Sequence, residues 1–135
     1  MYKKILVPMA LDHGVSPVTL DIARRLASDG AEIVALHVYE APQGSVAAYL
    51  DEETVKAGYD NAHARLAEKL NGQGDIRPVL IKGHSARGII DFAEAEAADC
   101  IVMGSHKPGL SDFFLGSTAA RVVRHATCAV HVHRA

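Results

Sequence analysis

The chain has 135 residues, of which 49% are apolar and 22% charged, with a formal net charge of −2. That length suits one domain over residues 1–135 with one substantial core, and the composition excludes a disordered chain. With no basic run or stripe and its tyrosines and phenylalanines scattered, the chain is expected to have no nucleic-acid partner, and no apolar stretch approaches the ~20 residues that a membrane span needs.

Met1-Tyr2-Lys3-Lys4 leads into only a short apolar run, so no signal peptide is expected. The two cysteines, Cys100 and Cys128, form no CxxC pair. They read as buried inert thiols in a reducing cytoplasm, with a disulfide or redox pair as the alternative.

Taken in order, Ile5 to Met9 is a short run apolar on both faces, the signature of a buried parallel strand, with Pro8 near its end. Ser16 caps a helix that has Pro17 in its first position and Val18, Ile22, Ala23, Leu26 and Ala27 inward; Asp29-Gly30 ends it. Ala31 to Tyr39 is a second strand, and Ala41 to Leu50 a long loop. A helix from Asp51 to Leu70 carries the stripe Val55, Tyr59, Ala62, Leu66 and Leu70, and Asn71-Gly72-Gln73-Gly74 breaks it. Ile76 to Ile81 is the third strand. Ser85 then caps a helix with Ile89, Ile90, Ala93 and Ala97 inward, ended by Ala98-Asp99. Cys100 to Met103 is the fourth strand. Gly116 or Ser117 opens the last helix, with Ala119, Val122, Val123 and Ala126 inward, and Cys128 to Val132 is the last strand. Strands alternating with helices at this spacing predict an α/β fold: right-handed crossovers around a parallel sheet covered on both faces, with ligands at the carboxyl ends of its strands.

The stretch from Cys100 to Ser117 carries the strongest chemical signal. Gly104 and Gly116 flank a loop holding His106, Lys107 and two serines. Bare backbone N–H groups, a helix start at Ser117 and Thr118, and a lysine together suit a phosphate cradle; two glycines that merely make turns are the plain alternative. No G-x-x-x-x-G-K-[ST], G-x-G-x-x-G or G-x-S-x-G occurs, which disfavours ATPases of the P-loop type, dinucleotide enzymes and serine hydrolases. His131 and His133 share a strand face without a third ligand, so they read as a polar edge rather than a metal site. His37, inside a strand, reads as a buried histidine with a satisfied hydrogen bond. Asp12 and His13 select no serine partner, and no paired catalytic carboxylates are evident.

KKILVP at Lys3 to Pro8, ALHV at Ala35 to Val38, GHS at Gly83 to Ser85, DCIVMGSH at Asp99 to His106 and LGSTAARVVRHATCAVHV at Leu115 to Val132 together resemble a universal stress protein. The resemblance runs over nearly the whole chain and is weakest from Ala41 to Gly74. It implies a three-layer α/β/α sandwich, adenine nucleotide alpha hydrolase-like, with a five-stranded parallel sheet of order 3-2-1-4-5. It also implies a cytoplasmic homodimer that is regulatory or protective and not an enzyme. The cofactor it implies is ATP, with ADP or AMP as related ligands and Mg²⁺ as an optional companion. A nucleotide-free protein acting through protein–protein contacts, or a weak ATP hydrolase, are the alternatives.

By the same resemblance, Met103, Gly104, His106, Lys107, Gly116, Ser117 and Thr118 line the phosphate and ribose side. Val38 meets adenine through its backbone, and Pro8 forms the floor. The chain departs from the family's G-2x-G-9x-G-(S/T) pattern in having Lys107 at the middle glycine and a loop one residue shorter, like the S-H-[RK]-P branch. It also carries Ala10 where the family's first strand commonly ends in an acid, with Asp12 as the candidate replacement.

Overall fold

The computed structural model describes residues 1–11, 17–41, 49, 51–105 and 115–134. Among the described residues nine elements alternate: β1 (Tyr2–Pro8), α1 (Pro17–Leu26), β2 (Ala27–Tyr39), α2 (Glu52–Lys69), β3 (Ile76–Lys82), α3 (Ser85–Ala95), β4 (Cys100–Ser105), α4 (Ser117–His125) and β5 (Ala129–Arg134). The strands form one sheet of order β3-β2-β1-β4-β5, and every pairing is parallel. This is the predicted order.

The strands are apolar on both faces because both faces are covered. Side chains alternate across a strand, so Ile5 and Val7 of β1, Ile33 and Ala35 of β2, and Cys100 and Val102 of β4 join one core cluster with Leu20 and Ala23 of α1 and Ala62 and Leu66 of α2. The intervening residues, Leu6, Val34, Leu36, Ile101 and Met103, pack with Ile89 and Ala93 of α3 and with Ala119 and Val122 of α4. Two helices therefore cover each face, completing a three-layer α/β/α arrangement.

Several local expectations are corrected. Helix α1 ends at Leu26 rather than at Asp29-Gly30. The chain turns straight into β2, where Tyr2 pairs with Ala27 but Lys4 with Glu32. The surplus residues of β2 form a bulge, and Gly30 adopts φ 75° within it. Val18 and Val123, expected inward, are exposed. In α1 the buried positions are Thr19, Leu20 and Ala23; in α4 they are Ala119 and Val122. Adjacent helix residues point about 100° apart, and in α4 the sheet takes Val122 while Val123 turns outward. Ala97 is exposed in the turn after α3, with φ 54°. Ser85 is the first residue of α3 rather than its cap, and its N–H is taken by the Glu40 carboxylate at 2.6 Å.

The amino ends of the strands are braced by charge. Lys4 lies 3.5 Å from Glu32 and 3.3 Å from Glu96, and Arg77 lies 2.8 Å from Glu32 and 2.7 Å from Glu96. This closed ring ties β1, β2 and β3 to the end of α3.

Beside it, the Asp99 carboxylate accepts the backbone N–H groups of Lys3 at 2.9 Å and Lys4 at 3.0 Å. Partial burial opposes ionisation of Asp99, but these two bonds outweigh it and hold the carboxyl below its ordinary value. Its stabilising contribution is therefore complete above the unfolded-state pKa of about 3.9 and is lost as pH falls through the lower folded value. Asp99→Asn, which sets an amide NH₂ against one of the two N–H groups, is expected to cost about 1–2 kcal/mol at pH 7. Urea titrations of both proteins should show that difference closing below pH ~4. A difference that persisted at low pH would mean that the charge of Asp99 is not what β1 uses.

The thiols are free, with Cys100 buried and Cys128 half-buried. Cys100 belongs to the cluster on the α1/α2 face, and Cys128 packs against the cluster on the α3/α4 face. The sheet thus separates the two side chains, which favours inert thiols over a pair. Burial pushes the Cys100 thiol up to about 11 and also raises that of Cys128.

Candidate functional site

The strand order reverses its winding between β1 and β4, and the carboxyl ends of strands at such a point splay into a crevice. A cleft of about 790 Å³ lies there. The ends of β1, β2 and β4 form its base, α2 forms one wall, and the first turns of α3 and α4 form the other.

The α4 side of the cleft is shaped by glycine. Gly116 precedes α4 with φ 88° and ψ 147°, a conformation that essentially only glycine adopts, and among the described residues no side chain caps the helix. The amide groups at Ser117 and Thr118 therefore open the helix toward the cleft, with the positive end of the helix dipole behind them. The Ser105 hydroxyl at the end of β4 donates to the Leu115 carbonyl, which holds the strand end beside the approach to Gly116.

Gly104 lies on β4 facing this region. A Cβ there would meet Thr19 Cγ2 at 3.8 Å and the His133 carbonyl oxygen at 4.0 Å, both ordinary contacts. The scaffold therefore does not require glycine at 104, and the bare backbone is left available to a ligand.

The β2 end offers a second recognition element. Pairing of β1 with β2 ends at Pro8 and Leu36, after which the Met9 N–H donates to the Leu36 carbonyl at 2.8 Å. The Tyr39 carbonyl accepts from the Gly83 N–H on the β3 side. Successive backbone groups of a strand alternate in direction. Val38 therefore turns its N–H and C=O toward the β1 side, beyond the last β1 pair, where they form an adjacent donor and acceptor at the cleft.

The His37 ring nitrogen Nδ1 lies 2.7 Å from the Met9 carbonyl. A carbonyl can only accept, so Nδ1 carries the proton. On α2, Arg65 donates to the Leu11 carbonyl at 2.6 Å, tying the segment three residues past the end of β1 to the far wall.

A smaller cavity of about 240 Å³ adjoins the cleft between the first turns of α3 and α4. Glu40, Ser85, Ser117 and Thr118 border both spaces, and His84 and Arg121 line only the smaller one. The Glu40 carboxyl is held below its ordinary value, chiefly by the bond from the Ser85 backbone N–H.

Seven of the residues singled out in the sequence, Pro8, Val38, Met103, Gly104, Gly116, Ser117 and Thr118, line the one cleft. Asp12, His106 and Lys107 lie outside the described residues. Ala10, in place of the family's acid, is exposed at the cleft. Of the α2 wall, Gly58, Asn61 and Arg65 escaped the sequence reading, and Ala62 was expected only as part of the apolar stripe. With Ala62 they recur at i, i+3, i+4 and i+7, a row that shares Ala62 with the apolar stripe, and that spacing is the signal that could have found them. His131 is exposed and His133 half-buried on the edge strand β5. Among the described residues, no three His, Cys, Asp or Glu side chains gather as metal ligands, and no helix is long and apolar enough to cross a membrane.

A doubly wound sheet of this order places a glycine-edged cleft at its switch point, where such sheets bind their ligands. The chain belongs to the universal stress protein family, whose model matches residues 1–134. It is 32% identical over 134 residues to a universal stress protein of Thermus aquaticus, covering 96% of this chain and 97% of the relative. The universal stress protein UspA from Lactobacillus plantarum superposes with a TM-score of 0.75 at 26% identity, with 98% of each chain covered. Two more distant structures share the fold. One is an Arabidopsis thaliana family protein with AMP bound (TM-score 0.61, 20% identity, covering 98% of this chain and 91% of that one). The other is a universal stress protein in complex with cAMP (TM-score 0.61, 23% identity, covering 98% and 97%).

Proposed function

We propose that this universal stress protein binds ATP or a related adenine nucleotide in the cleft and acts as a cytoplasmic homodimer in a regulatory or protective role, not as an enzyme. The observation that carries the reading is the α4 amino terminus, presented by Gly116 without a side-chain cap and facing the bare backbone of Gly104. An anion seated on the Ser117 and Thr118 amides satisfies orphan N–H groups and meets the helix dipole.

The base end supports the same ligand. Adenine presents the acceptor N1 beside the donor N6, which matches the N–H and C=O of Val38; guanine presents the reverse order. Pro8, with no N–H to satisfy, forms an apolar floor. The AMP and cAMP complexes of the two distant neighbours agree with an adenine nucleotide as the class of ligand. Mg²⁺, if it accompanies the phosphates, would neutralise part of their charge. Occupancy biases dimer or partner surfaces only so far as the nucleotide binds one state better than another.

Mass spectrometry of the denatured protein is expected to find co-purified adenine nucleotide, and calorimetry to find ATP or AMP bound at least ~10-fold more tightly than GTP or GMP, as expected where a polar match is lost. Equal heats for the two bases would remove the Val38 assignment. Absence of any nucleotide heat would remove the reading.

A further inference from the structure

We propose that Glu40 sets how many phosphates the bound nucleotide carries, selecting monophosphate over triphosphate at the mouth of the smaller cavity. The inference rests on the nucleotide reading above and deepens it. A nucleotide whose first phosphate sits on the Ser117 and Thr118 amides directs any further phosphates into the neighbouring space, because those two residues wall both cavities. Among the described residues, the permanent charges lining that space are Glu40 and Arg121, with His84 as the titratable neighbour.

Glu40 is exposed but tethered. Its carboxylate is fixed by the Ser85 N–H at 2.6 Å, and that bond favours the ionised form. The α3 amino terminus, which would otherwise be a second place for phosphate, is thereby already occupied by an anion belonging to the chain itself. Each outer phosphate adds negative charge facing this carboxylate in the smaller space. Arg121 offsets part of the repulsion, and Glu40 tips the balance toward the shorter ligand.

The test uses calorimetry of the full chain with ATP and with AMP, in EDTA so that no divalent cation screens the phosphates. Glutamine at 40 still offers an oxygen to the Ser85 N–H, so the start of α3 is retained, and a thermal melt checks this. Glu40→Gln is expected to raise the affinity for ATP relative to AMP about 5-fold, the size of one unit-charge repulsion removed at short range in a largely aqueous setting. Glu40→Asp, which keeps the charge, is expected to leave the ratio near wild type. A ratio unchanged in Glu40→Gln, or shifted equally by both variants, would overturn the proposal while leaving adenine-nucleotide binding standing. Wild-type protein that binds neither ATP nor AMP would overturn both.

Discussion

Truncating Ile101 to alanine is expected to lower the free energy of unfolding by about 3–4 kcal/mol, near the upper part of the range for buried isoleucine. Ile101 is fully buried on β4, an interior strand, in register with Leu6 of β1 on one side and Val130 of the edge strand β5 on the other. Its side chain joins the cluster that α3 and α4 cover. Neighbours held by strand hydrogen bonds on both sides relax little, so the cavity left behind persists and adds its cost to the lost transfer energy. For a chain whose total stability is on the order of 5–15 kcal/mol, the melting temperature should drop by on the order of 10 °C. Urea unfolding should show a lower midpoint at constant slope. A loss under ~1.5 kcal/mol would show that the helices collapse onto the gap, and the α4 terminus would then rest on a softer base than the packing implies. The position bears on the site because Val122 of α4 packs in the same cluster, one turn after Thr118.

The parts of the fold that were legible in the sequence are those where one physical signal dominates. Strands buried on both faces leave continuous apolar runs such as Ile5 to Val7, and the crossovers between them follow from chain geometry. The bulge in β2 was not legible, because Asp29-Gly30 reads equally well as a helix stop. Helix faces slipped where apolar residues are adjacent: Val122 and Val123 are equivalent in composition, and only packing separates one fully buried from one 47% exposed.

Long-range polar contacts were the least legible. Glu40 bonds to a backbone amide 45 positions away, and Arg65 to a carbonyl 54 positions away. No local pattern marks either side chain as a partner. For the cleft, glycines at 104 and 116 signal by what they lack, so the α4 side could be read directly. The α2 wall is built from ordinary helix residues and gave no chemical signal of its own.

Alanine at Gly104 and at Gly116 should separate what the cleft does for a ligand from what it does for the fold. At Gly104 the added Cβ finds, among the described residues, contacts of 3.8 and 4.0 Å, so the free protein is expected to melt within a degree or two of wild type. The same methyl projects from backbone that the proposed ribose and phosphates must approach closely, and overpacking there costs roughly 1–3 kcal/mol, or about 5- to 150-fold in affinity. At Gly116 the φ of 88° and ψ of 147° must be held by a residue that strongly disfavours them. That strain is worth ~1–3 kcal/mol and falls on the free protein, with binding reduced as well because the Ser117 and Thr118 amides shift.

Melts with and without saturating ATP should therefore give two different patterns. Gly104→Ala keeps the free melting temperature and loses most of the ligand-induced rise. Gly116→Ala lowers both. If Gly104→Ala binds ATP with wild-type affinity, the nucleotide does not pass over β4, and the cradle must be sought elsewhere in the cleft. If Gly116→Ala is as stable as wild type, the left-handed turn is not what presents the helix, and the uncapped amides lose their role as the anchor of the site.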